Sequence, residues 1–150
     1  QSNLILVNSI EKARHYIEMT TGSDAARMAL YWPAPLTIIG KATSYVSSEI
    51  CSLEGTIAVR VPNHTGLQKL LMHFDALFST SANIHGKDIP ISVSDIDPLI
   101  MQGVSCVIQD KNIQEYPIVS STILDCSQSE MRVVRHGLFD LQQKFEKKSA

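Results

Sequence analysis

Two arginines and two clusters of hydroxyl side chains are the residues of this chain best suited to chemistry. Arg60 lies in an apolar, β-branched run, TIAVRV over residues 56–61. A charged side chain in such a place is almost never left unpaired. It either forms an ion pair within a sheet or serves as a guanidinium fork that grips a carboxylate or phosphate through two N–H groups. Arg135 ends a second apolar run, Val133-Val134-Arg135, ahead of His136 and Gly137. It stands between a rim salt bridge and the same anion-gripping role. Ser120, Ser121 and Thr122 come just before Ile123, Leu124 and Asp125, as a turn or as a hydroxyl cluster at a strand start. The densest polar stretch is LFSTSANIHG, residues 77–86. Leu77 and Phe78 read as a short strand leaving a core. In a continuing strand Ser79 and Ser81 would share a face and Thr80 would point away. Small side chains and free backbone N–H groups at such a strand end let an anion approach closely; the same residues also populate ordinary turns.

Other chemistries find little support. The histidines (His15, His64, His73, His85, His136) include no H-x-x-x-H pair, so metal-ligand roles are not indicated. Ser81 has no identifiable histidine base, so no residue is assigned as a catalytic nucleophile. The chain has no G-x-x-x-x-G-K-[ST], no G-x-G-x-x-G and no G-x-S-x-G, which leaves P-loop, dinucleotide and α/β-hydrolase readings unsupported.

The elements that must position these residues follow from hydrophobic period. Residues 4–7 (LILV) read as a buried strand. Ser9 can cap a helix running to about Thr20, with Ile10, Ala13 and Ile17 on one face. Ser23 can cap a second, with Ala25, Met28, Ala29 and Trp32 on one stripe, and Pro33 and Pro35 must end it. Residues 36–39 and 56–61 are strands by their β-branched content; residues 41–52 form a loop or a short irregular helix. Asn63 is a candidate cap for a helix with Leu67, Leu70, Leu71, Phe74 and Leu77 on one stripe. Residues 87–93 read as a loop, and Ser94 as the cap of a short helix ending near Gly103. Residues 105–109, 118–125 and 131–135 read as strands, with a helical tail from Leu138. Early alternation and late clustering of strands predict a single α/β domain over residues 1–150, a twisted, mixed open sheet with flanking helices.

Composition is compatible with that fold. At 150 residues, 44% hydrophobic and 19% charged, the chain is ordinary for one globular domain. No apolar run approaches the roughly 20 residues that span a bilayer, so no membrane contact is expected. Three widely spaced cysteines (Cys51, Cys106, Cys126) suit a reducing cytoplasm rather than a disulfide framework. The net charge of −2 means that nucleic-acid contact would need a local basic patch.

Taken in order, the motifs resemble one family. WPAPLT at 32–37 is similar to its WPGPLT, TIAVRVPNH at 56–64 to its TVAVRVPxH, and STSANIHG at 79–86 to its STSANxSG. STILD at 121–125 is similar to its STIVD, and VRHG at 134–137 to its closing LRxG. These are the marks of the YrdC/TsaC-like threonylcarbamoyl-adenylate synthases, with their YrdC/RibB-like fold. The resemblance spans Leu4 to about Gly137.

The resemblance implies a reaction in which L-threonine and bicarbonate form a carbamate that attacks the α-phosphate of ATP. Threonylcarbamoyl-adenylate and pyrophosphate result, and tRNA-modification proteins pass the threonylcarbamoyl group to an adenosine of tRNA. By the same resemblance Thr56, Ser81, Asn83 and Arg135 contact ATP, Arg60 and Ser121 hold threonine, and Mg²⁺ accompanies the triphosphate. Such a transfer depends on positioned donors and positive charge around the phosphates. Ala34, His85 and Ser120 depart from the family's glycine, serine and proline. The family's leading PTDTxYGL does not occur in this sequence, and no K-x-R stands ahead of the Leu4–Val7 run. The expectation is therefore that the intact protein is the synthase and that these 150 residues alone are poorly active. Two other functions stay open: an RNA-binding module of the same fold, which would bind tRNA weakly, and a carbamoyl-adenylate-forming domain.

Overall fold

The computed structural model describes residues 2–109 and 120–141. Strand β1 (Leu4–Leu6) opens the chain, and Ser9 caps helix α1 (Ile10–Ala13) by accepting from the Lys12 N–H. The predicted run of this helix to Thr20 is not realised. Ile17 instead bridges Ala42, and the Glu18 N–H donates to the Lys41 carbonyl, so sheet-like pairing takes the backbone groups a longer helix would need. Ser23 caps helix α2 (Asp24–Ala29), and the indole of Trp32 donates to the Leu36 carbonyl at 2.7 Å. Strands β2 (Leu36–Lys41) and β3 (Thr56–Arg60) follow, with a 3-10 turn at Ser48–Ile50 between them.

Helix α3 (Thr65–Leu71) is capped by His64, whose Nδ1 accepts from the Leu67 N–H at 3.1 Å; Asn63 stands one residue too early. The helix ends at Leu71, short of the predicted stripe, so Phe74 is exposed and Leu77 lies in strand β4 (Leu77–Phe78). Ser92, rather than Ser94, begins a 3-10 turn at Val93–Asp95. Asp97 then caps helix α4 (Pro98–Gln102), which stops at Gly103. No strand forms at 105–109. Strands β5 (Thr122–Asp125) and β6 (Arg132–Arg135) complete the described chain. The start of the strand predicted from residue 118 and nearly all of the predicted helical tail lie outside the described residues.

The six strands form one mixed sheet in the order β4-β1-β3-β2-β5-β6. β1 runs parallel to β3 and β2 parallel to β5; the other three pairings are antiparallel. Ile5 pairs with Val59, Val59 with Ile38, and Ile38 with Leu124. Cross-strand partners share a face, so these four, all 2% exposed or less, line the core with Met28, Ala29 and Trp32. The flanking positions along each strand fall on the opposite face. That places Thr37, Arg60 and the Ile123–Arg135 pair together, away from the core.

Two compact units divide the chain: Gln1–Ser79 with Val119–Ala150, and Thr80–Ile118. The first carries the sheet and the core. The second holds the Val93–Asp95 turn and α4, and none of its described residues is buried.

Candidate functional site

The antiparallel and parallel registers bring Arg60, Thr37, Ser121 and Arg135 to one end of the sheet. β3 reaches that end at its last residue, β2 near its first, and β6 at its last; Ser121 immediately precedes β5. Arg135 donates through Nε to the Ser121 carbonyl at 3.1 Å and through Nη2 to the Ser121 hydroxyl at 3.3 Å. The Ser121 and Thr37 hydroxyls lie 2.9 Å apart, and both residues are buried.

Among the described residues Arg60 has no counter-charge. Its Nε is buried and has no hydrogen-bond partner among them. Among the described residues the ion pairs are Lys12–Asp75, Arg27–Asp24, Lys87–Asp97 and Arg132–Asp125, and none includes Arg60 or Arg135. Burial, and then the like charge of Arg135, lower the Arg60 pKa from its ordinary value. A guanidinium still stays protonated. Two cations therefore stand near each other with no carboxylate paired to either among the described residues, an arrangement that favours an incoming anion. Of the two sequence readings of Arg60, the ion pair within the sheet is not formed among the described residues.

Gly137 holds Arg135 in place through backbone geometry. Its N–H donates to the Thr122 hydroxyl at 3.0 Å, and Thr122 in turn donates to the Phe139 carbonyl. A Cβ at Gly137 would overlap the Ser120 carbonyl and the Ser121–Thr122 peptide, so any side chain there must displace the backbone carrying Ser121.

Thr56 begins β3, four residues before Arg60, or about 13 Å along a strand at 3.3 Å per residue. Its hydroxyl is bonded to those of Ser2 and Ser52, both at 2.7 Å. The structure thus brings Arg60, Ser121 and Arg135 together and sets Thr56 at the opposite sheet end. That opposite end also borders a cavity of about 370 Å³ lined in part by Lys41, Cys126 and Ser127. Burial pushes the Cys126 thiol up to about 12, which keeps it protonated and a poor nucleophile.

Ser81 and Asn83 belong to the second unit. The strand before them ends at Phe78, so the alternation expected of Ser79 and Ser81 does not carry through. Instead Ala82 adopts a left-handed φ of 54°, a conformation costly for a residue with a Cβ. The Ser81 hydroxyl donates to Asn83 Oδ1, and Asn83 Nδ2 donates to the Lys87 carbonyl at 2.7 Å. Within this unit a cavity of about 530 Å³ is lined by residues that include Asn83, Lys87, Ser94 and Asp97. Thr37 is the residue that sequence reasoning passed over. It sits in the WPAPLT segment, and a polar side chain among Leu36, Ile38 and Ile39 was the signal that could have found it.

Comparison with known proteins gives the family and the fold. A family model described as "Telomere recombination", labelled Sua5/YciO/YrdC, matches residues 2–137. A threonylcarbamoyl-AMP synthase from Vibrio cholerae is 29% identical over 111 residues, covering 72% of this chain and 59% of that protein. The chain thus spans about three-fifths of the length of that relative. Among solved structures, P. abyssi Sua5 complexed with L-threonine superimposes with a TM-score of 0.79 at 24% identity, covering 97% of this chain and 43% of that one. E. coli YciO superimposes with a TM-score of 0.81 at 22% identity, covering 95% and 68%. At these identities the two structures establish the fold.

Proposed function

We propose, for a chain that belongs to the Sua5/YciO/YrdC family, that the intact protein makes threonylcarbamoyl-adenylate from L-threonine, bicarbonate and ATP. The observation that carries this reading is the buried Nε of Arg60, unpartnered among the described residues, beside Arg135. In the proposed reaction the threonine nitrogen bonds to the bicarbonate carbon, a carbon–oxygen bond breaks and water leaves, giving a carbamate. A carbamate oxygen then bonds to the α-phosphorus, the bond from that phosphorus to the bridging oxygen breaks, and pyrophosphate leaves with the electron pair. Arg60 holds the threonine carboxylate with Ser121. Arg135, anchored on Ser121, faces the negative charge that builds up at the phosphate during transfer. Thr56, Ser81 and Asn83 are proposed as further ATP contacts.

The described residues contain no group of three or more His, Cys, Asp or Glu side chains able to hold a metal. They do not fit a resident Mg²⁺ site, and the ion would arrive on the triphosphate of the substrate. No helix among the described residues is long and apolar enough to cross a membrane. Cys51, Cys106 and Cys126 are free thiols, in keeping with the proposal of a cytoplasmic enzyme that hands its adenylate to tRNA-modification proteins.

The test is pyrophosphate release by the intact protein with Mg-ATP, omitting threonine or bicarbonate in turn. Release that requires both supports the reading. ATP turnover indifferent to threonine would refute it, and salt-dependent tRNA binding without ATP binding would point to an RNA-binding module.

A further inference from the structure

We infer that Thr122 is a positioning residue of the site: its hydroxyl locks a β-bulge that turns Arg135 onto the ligand-facing side of the sheet. The inference rests on the proposed function for the identity of the ligand. It goes beyond that reading by giving a role to a fully buried residue and to an irregularity of the strand.

Side chains alternate along a regular strand, so residues three apart face opposite sides of a sheet. Arg132 and Arg135 break that rule. Arg132 lies opposite Asp125 and Arg135 opposite Ile123, and those two β5 positions share a face. Leu124 lies opposite Val133, so Val134 is left over. Val134 and Arg135 together oppose Ile123, which is the arrangement of a β-bulge. In an unbulged ladder Val134 would meet Ile123, and Arg135 would fall opposite Thr122. That is the core face, where Thr122 and Leu124 lie beside Leu36 and Ile38, all 0% exposed. A guanidinium placed there would be desolvated without a partner. The bulge instead sets Arg135 on the face of Thr37 and Ser121, where its Nε and Nη2 reach Ser121.

What holds the bulge is the hydroxyl of the residue that Arg135 would otherwise oppose. Thr122 Oγ1 accepts from the Gly137 N–H at 3.0 Å and donates to the Phe139 carbonyl at 2.8 Å. The partners fix both directions, because an amide N–H can only donate and a carbonyl can only accept. Both partners lie beyond Arg135, so the hydroxyl grips the chain just past the bulge. The Leu138 N–H adds a bond to the Ser120 carbonyl at 3.1 Å. The anchor is itself fixed, since the Thr122 N–H donates to the Pro35 carbonyl at 3.0 Å. Sliding β6 by one residue to remove the bulge would carry Gly137 and Phe139 away and leave the buried Thr122 hydroxyl without either partner, a costly state. The register that satisfies Thr122 is therefore the register that presents Arg135.

The experiment measures Mg-ATP binding to the intact protein by calorimetry and, without ligand, solvent exchange of the Arg135 Nε–H by NMR. The variants are Thr122→Val, Thr122→Ser, Arg135→Ala and the Thr122→Val/Arg135→Ala double. Thr122→Cys, whose thiol bonds weakly, replaces the valine variant should that one fail to fold. We expect Thr122→Val to weaken binding roughly tenfold, the worth of one misplaced charge-assisted hydrogen bond. Thr122→Ser should bind within about twofold of the parent, since it keeps the hydroxyl. In the Arg135→Ala background the valine should add less than about twofold, because it acts through that arginine. The Arg135 Nε–H, bonded to the Ser121 carbonyl, should exchange about tenfold faster in Thr122→Val than in the parent or in Thr122→Ser. The titration of Asp125, bonded to Arg132 ahead of the bulge, should not move. That control separates a local loss of register from a general loosening of the sheet. A serine variant as weak as the valine variant, the full valine loss on top of Arg135→Ala, unchanged Nε–H exchange, or a shifted Asp125 titration would overturn the role of Thr122 and leave the proposed function intact. A parent that binds no Mg-ATP would refute the proposed function, while the exchange measurement still decides the role of Thr122.

Discussion

The two ends of the sheet are built from similar residues and arranged in opposite ways. β6 carries an arginine at each end. Arg132 pairs with Asp125 at 2.9 Å, and Asp125 also accepts from the Ser127 hydroxyl at 2.6 Å. Arg135, three residues on, meets a carbonyl and a hydroxyl and no carboxylate among the described residues. β3 repeats the contrast: Thr56 at its start is bonded to Ser2 and Ser52, and Arg60 at its end leaves Nε unpartnered. At one end the polar groups are already partnered within the protein. The other keeps donors in reserve, at a cost in stability that a ligand can offset. Residue type alone does not separate structural from functional positions; what separates them is whether the polar groups are already satisfied.

Four changes would break or sharpen that contrast. Replacing Arg60 with leucine should weaken threonine binding on the order of 100-fold, as loss of one partner of a desolvated charge pair does. The melting temperature should hold or rise, because an uncompensated buried cation is removed. A marked fall in melting temperature would mean that Arg60 belongs to the structural set after all.

Gly137→Ala should cost about 1–3 kcal/mol in denaturant unfolding through the clash with the Ser120–Thr122 backbone. It should also weaken threonine binding, since Ser121 must move with that backbone. Unchanged unfolding would show that the Gly137 turn is not tightly packed.

At the partnered end, Ser52→Ala removes the acceptor for the Thr56 and Glu54 N–H groups and a hydroxyl partner of Thr56. A loss of about 1 kcal/mol in stability is expected, with threonine affinity unchanged; a change in affinity would couple the two ends.

The smallest effect is expected at Arg132→Ala, about 0.5 kcal/mol near neutral pH, because the arginine is largely exposed. Its pH dependence is more telling. Burial pushes the Asp125 carboxyl up, but the Ser127 hydroxyl and N–H and the Arg132 guanidinium outweigh it and leave the pKa below the usual value. Asp125 therefore contributes stability above the unfolded carboxylate value of about 3.9 and loses it as pH falls through the folded value. Unfolding followed by pH should show a shallower acid loss in Arg132→Ala than in the parent; identical slopes would remove Arg132 from that balance.

Much of the local structure was legible because its causes are local. Ser9 and Ser23 cap their helices through bonds three residues away, and the β-branched runs at 36–39 and 56–61 are strands. The failures have two origins, competition from distant chain and competition between adjacent caps. The helix after Ser9 stops early because Ile17 pairs with Ala42, and His64 displaces Asn63 as a cap because its ring nitrogen meets the Leu67 N–H. The site was legible in part. An arginine in an apolar strand announces either an ion pair or an anion, and the motif order named the family.

By itself, then, the sequence determined the strands at 36–39 and 56–61, the caps at Ser9 and Ser23, and that Arg60 and Arg135 must each find an anionic or polar partner. Only the tertiary structure decided which arginine on β6 is paired within the protein, and that Thr37 and Ser121, 84 residues apart, share a hydrogen bond. The reason is physical. Caps and periodicity depend on neighbours within one or two turns, whereas the satisfaction of a buried donor depends on strand order and register. Here the order β2-β5-β6 sets Thr37 beside Ser121 at one end of the sheet and Arg132 beside Asp125 at the other.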